Sequence, residues 1–111
     1  MEYVYYHFKT NNISEKWKTS EIEAFLQGCG LFSSDRKQIA FNSQKPFLSI
    51  TLLNVSDYNS WSENDHDPEN TNYIAVVTDD EQYWGANKNE QLRAVFDGLE
   101  RLLKTSMQDD W

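Results

Sequence analysis

Three side chains in this sequence could carry acid–base or nucleophilic chemistry near neutral pH: His7, His66 and Cys29. A thiol nucleophile needs a base within hydrogen-bond reach, so Cys29 would have to meet one of the two histidines. Its spacing from Ile22 and Leu26 places it instead on the apolar side of a helix, as a buried thiol. His7 lies within YVYYHFK, a run of β-formers, where a structurally satisfied histidine is the plainer reading. There is no G-x-S-x-G element and no phosphate-cradling glycine loop in a chain with only four glycines. The chain does not read as an enzyme, and no cofactor is expected.

A metal would need the hard ligands of Asp65-His66-Asp67-Pro68-Glu69. A calcium loop of the D-x-[DN]-x-[DN]-G type turns on a central glycine, and none follows Asp57 in this stretch. Transition-metal binding would require a second His or a Cys close by. The segment reads as a solvated acidic loop without a metal.

The layout of charge is more informative. The formal net charge is −8, from 18 acids and 10 bases. Nucleic acid and anionic membrane are disfavoured by that balance, because both demand Lys and Arg against phosphate. A basic protein is favoured, since complementary charge speeds encounter and rejects wrong partners. From Pro46 to Asn87 there is no Lys or Arg, while eight acids fall there: Asp57, Glu63, Asp65, Asp67, Glu69, Asp79, Asp80 and Glu81. Five aromatic residues are interleaved with them: Tyr58, Trp61, Tyr73, Tyr83 and Trp84. Interfaces are enriched in Tyr and Trp, which anchor while rim charges steer. Tyr73 and Trp84 are the expected core members of this set, and Tyr58 and Trp61 the expected exposed anchors. The binding residues expected for a basic partner are therefore Asp57, Tyr58, Trp61, Glu63, Asp65, Asp67, Glu69, Asp79, Asp80 and Glu81. Reversing charge at Asp65 and Asp67 is expected to weaken binding and leave thermal stability nearly unchanged.

These residues need a scaffold. Residues 3–9 form an expected inner strand with apolar bulk on both faces. A capping box over 20–23, Ser at the N-cap and Glu at N3, opens a short helix over about 21–29 that Gly28 and Gly30 stop. Residues 37–42 and 47–55 read as a hairpin joined by SQKP, and 73–78 as a buried strand. Leu92, Val95, Phe96, Leu99, Leu102 and Leu103 make one stripe on a helix over about 88–106, with Asn87 as its N-cap. Asp97–Arg101 and Glu100–Lys104 are spaced as i,i+4 pairs on it. The tail from Gln108 to Trp111 is expected to fray. The order β-α-β-β-β-α implies an α+β fold: a mostly antiparallel sheet of about four strands with two helices packed on it. Residues 1–111 form a single domain, expected as a monomer or weak dimer. One cysteine excludes an internal disulfide, MEYVYYHFKT does not read as a signal peptide, and no apolar run is long enough to span a bilayer. The cytoplasm is the expected compartment.

Size, acidity, element order, the loaded loop and a closing amphipathic helix after NYIAVVT together resemble a bacterial immunity protein of polymorphic-toxin and contact-dependent growth inhibition systems. The resemblance implies stoichiometric inhibition of a cognate, basic, nuclease-type toxin domain by covering its active site or a nearby surface. Two alternatives belong to other classes: an acidic DNA mimic of the anti-restriction type, and a small ligand-binding domain that uses the aromatic sheet as a pocket.

Overall fold

Alternation along the first strand sets the architecture. The computed structural model describes residues 3–33, 38–41, 48–79 and 90–109. In β1 (Tyr3–Lys9), Tyr6 and Phe8 point to one side and Tyr5, His7 and Lys9 to the other. Next come β2 (Trp17–Lys18), α1 (Thr19–Gly28), β3 (Leu31–Ser33), β4 (Gln38–Phe41) and β5 (Leu48–Leu53). A single 3-10 turn (Glu63–Asp65), β6 (Asn70–Thr71), β7 (Tyr73–Asp79), α2 (Glu90–Leu103) and β8 (Gln108–Asp109) complete the order.

Among the described residues the main sheet has six strands in the order β3-β4-β5-β7-β1-β8, and every neighbouring pair is antiparallel. The fold is α+β, as the periodicities imply. Its extra strands, β3 and β8, are too short to leave a period-2 signature. Gln108 and Asp109 do not fray: they pair with His7 and Tyr6. β1 therefore lies between β7 and β8.

Register puts Phe8 beside Ile74 and Tyr6 beside Val76, with Leu52 and Ile50 across from the same β7 residues. This face meets both helices. Ile22 and Leu26 of α1 and Val95, Phe96, Leu99 and Leu103 of α2 complete one apolar core. Each fully buried Leu or Ile contributes roughly 1.5–3 kcal/mol of gross transfer free energy. Leu102, expected on the stripe, is 40% exposed. It sits at the stripe's angular margin, whereas the next residue, Leu103, is buried in the core. The two helices come close at Gly98, where an added Cβ would lie 2.8 Å from Cε1 of Phe25 and closer still to Cζ.

The helix ends differ from their sequence signatures. The N-cap of α1 is Lys18, with no side-chain cap bond, so the expected Ser20 capping box does not form. The start is fixed by tertiary contacts instead. The Thr19 N–H donates to the Glu69 carbonyl at 3.2 Å, and its hydroxyl donates to the Asp67 carbonyl and meets the Thr71 hydroxyl at 2.6 Å. At the other end, Gly30 adopts φ +87° and its N–H donates to the Gln27 carbonyl, the expected glycine stop. On α2, Arg93 and Asp97 approach to 3.8 Å, while the Glu100 carboxylate accepts the N–H of Met107 and not the ammonium expected at Lys104. Lys104 itself turns the chain at φ 58°. Asn87 and the SQKP link lie outside the described residues.

Candidate functional site

The second face of the sheet is built differently. Leu53, Val55, Tyr73 and Ala75 form a small separate cluster there, with Ile13 and Tyr58 packed against it. Two polar segments lie over it: residues 10–16 after β1, and the long loop 54–72. The face is only partly covered. Tyr5 is 49% exposed and Trp61 43% exposed. β1 is thus not sheltered on both faces, as its bulk on each side had suggested: Tyr58 of the loop meets Lys9 and Thr10, while Tyr5 stands exposed.

One residue ties these segments together. Asn72 is fully buried between β6 and β7. Its side-chain oxygen accepts the Val55 N–H at 2.8 Å, and its amide donates to the Val55 carbonyl at 2.9 Å and to the Ile13 carbonyl at 3.1 Å. Its backbone N–H donates to the Leu53 carbonyl, and its carbonyl accepts the Thr10 N–H. Tyr58 adds a second tie: its hydroxyl donates to the Thr10 carbonyl at 2.8 Å and lies 2.6 Å from the Thr10 hydroxyl.

The acidic side chains serve the loop before they serve any partner. Asp57 accepts the N–H of Asn59, closing an Asx turn. Asp65 accepts the Ser62 N–H at 2.9 Å while Ser62 Oγ accepts the Asn64 N–H, capping the 3-10 turn. Asp67 Oδ1 accepts the N–H groups of Glu69 and Asn70, and its Oδ2 accepts the side-chain amide of Asn54. The Glu69 hydrogen bond, followed by that from Asn54, holds the Asp67 carboxyl below its ordinary value. His66 Nδ1 lies 3.0 Å from the Leu52 carbonyl, which pins the loop to β5. The expectation that charge reversal at Asp65 and Asp67 would spare stability therefore changes: both carboxylates hold backbone geometry. Glu69 and Asp57 are the exposed acids of the loop with positions described. The side chains of Glu63 and Asp79, and all of Asp80, Glu81, Tyr83 and Trp84, lie outside what is described.

The aromatic residues divide. Tyr73 is buried, as expected, at 5% exposure. Trp61 is exposed, with its ring centroid 5.8 Å from that of Tyr73. Tyr58 is not a free anchor: it is half-buried, with its hydroxyl spent on Thr10 and its ring 6.3 Å from Tyr73. His7 stacks on Tyr73 at 5.5 Å and 9° between planes. Ring contacts thus link His7, Tyr73 and Trp61 into an aromatic track, and alternation puts Tyr5 on the same face two positions before His7. Tyr5 and His7 belong to it by β alternation alone, a signal present in YVYYHFK. Nothing in the sequence marked Asn72.

Lysines from outside the acidic segment also arrive. Lys9 Nζ lies 5.3 Å from the Tyr58 ring centroid, and Lys16 Nζ donates to Asn54 Oδ1 at 2.6 Å. Lys18 stands opposite Asn70 in the β2–β6 pair. The segregation of charge along the chain is thus softened in space.

Cys29 is half-buried against the helix-side core, and burial pushes its thiol pKa up, which disfavours a thiolate. Among the described residues no group of three or more His, Cys, Asp or Glu could hold a metal ion, and no helix is long and apolar enough to cross a membrane. Comparisons with protein-family models, with curated proteins and with solved structures find no match in any of the three.

Proposed function

We propose that this chain binds and neutralises a basic protein, as the immunity partner of a bacterial toxin domain of the nuclease type, by stoichiometric occlusion and not by turnover. The observation that carries this reading is Trp61: a large ring 43% exposed, backed by the buried Tyr73, on a loop stiffened by its own hydrogen bonds. A pre-ordered aromatic residue gives an interface anchor at small entropic cost. Exposed Asp57 and Glu69 and the net charge of −8 supply long-range attraction for a cationic surface. An extended DNA mimic fits less well, because Lys9, Lys16 and Lys18 interrupt any phosphate-like row of carboxylates beside the loop.

The test is titration of the chain into the basic toxin domain encoded beside it, at low and high salt. The expected result is a one-to-one complex that abolishes toxin activity, with salt acting mainly by slowing association. Trp61→Ala should weaken the complex at least about tenfold, a loss of about 1.4 kcal/mol or more in the hot-spot range, with a small drop in the melting temperature of the free chain from the lost contact with Tyr73. Absence of a complex at low salt refutes the reading.

A further inference from the structure

We infer that the aromatic track on the outer sheet face is a seat for arginine side chains of the partner, with Trp61 as the principal stop and Tyr5 as the second. This rests on the reading of the chain as a binder of basic proteins, and it names the chemistry by which that partner is held. Two exposed rings stand at the ends of the track, and its middle, His7 on Tyr73, is stacked with 9° between planes. The molecule already uses such a contact internally, with Lys9 Nζ 5.3 Å from the Tyr58 ring centroid. A guanidinium lies flat on an indole face and keeps its edge donors for nearby carboxylates, which an ammonium does less well. Asp57 and Glu69, exposed acids of the same loop, add negative charge that draws a cationic side chain to this part of the molecule. Charge complementarity selects the occupant: a surface of net charge −8 repels a second copy of itself.

The experiment compares nona-arginine with nona-lysine, peptides of equal charge, binding to the intact chain at low salt. Titrations are followed calorimetrically and by the Trp61 indole N–H resonance. Nona-arginine is expected to bind about three- to fivefold more tightly, the size of one exposed cation–π contact, and to shift the Trp61 resonance. Trp61→Ala should remove most of the preference, Tyr5→Ala a smaller part, and the double variant all of it. Equal affinity for the two peptides, or a preference undiminished by Trp61→Ala, overturns the arginine seat yet leaves a charge-driven binder standing. Failure of both peptides to bind overturns the seat and the parent reading together. A dimer of the free chain that dissociates on Trp61→Ala would place a second copy on the track and also overturn the inference.

Discussion

Among the described residues, replacing Asn72 with alanine should be the most damaging polar substitution. Three side-chain hydrogen bonds vanish, and the N–H and carbonyl of Val55 and the carbonyl of Ile13 lose their partner. The two Val55 groups are buried, and each orphaned buried group costs roughly 1–3 kcal/mol. The Ile13 carbonyl is part-buried and can recruit water, so it adds little. The expected loss is about 3 kcal/mol, a large share of the roughly 5–15 kcal/mol that holds a domain of this size. At about 4 °C per kcal/mol, melting should fall by about 12 °C. Urea unfolding followed by circular dichroism gives the free energy directly, with an unchanged slope as the sign that the end states are the same. Asn72→Asp sharpens the test. Its carboxylate can still accept from Val55 N–H, but faces two carbonyls with no proton to give. It should be worse than alanine at neutral pH and recover as the pH falls and the carboxyl becomes a donor. A loss below about 1 kcal/mol for Asn72→Ala, or an Asp variant no worse than the Ala variant, would refute the idea that this amide clamps the loops.

Two further perturbations probe other parts of the structure. The Asp67 carboxyl has a lowered pKa in the fold, so its stabilisation is fully present above the unfolded value near 3.8 and is lost as pH falls through the lower folded value. Asp67→Asn should therefore flatten the acid limb of the stability–pH curve; an unchanged acid limb in urea titrations would count against the loop hydrogen bonds. Gly98→Ala should lower the melting temperature despite alanine's better helix propensity, because the new methyl meets the Phe25 ring. In a Phe25→Ala background the same change should instead stabilise by up to about 1 kcal/mol, and a double-mutant cycle without that reversal of sign would reject the close approach of the helices.

The helix-side half of the fold was written in periodicity. The stripe on α2, the alternation of β5 and the continuous apolar run of β7 mark apolar surfaces that face the same core. Short elements escaped because two or three residues carry no period: β3, β8 and the β2–β6 pair exist through their neighbours. The start of α1 was misread for a related reason. A capping box is local, and the Glu69 carbonyl that fixes Thr19 lies fifty positions along the chain. The same limit governs the loop: its acids and Trp61 were visible as types, but the division of Asp65 and Asp67 to internal hydrogen bonds and of Tyr58 to Thr10 depends on three-dimensional closure.

The ties between residues 10–16 and 54–72 have a consequence for how the surface comes into being. The Tyr58–Thr10 and Asn72–Ile13 bonds span 48 and 59 positions, so their loops close late, against a high entropic cost. A ribosome-bound chain cannot present this face until β7 has emerged and seated beside β1. The aromatic face is therefore a product of completed folding: truncated or half-made molecules lack it, and any lesion that loosens the first strand removes it from afar.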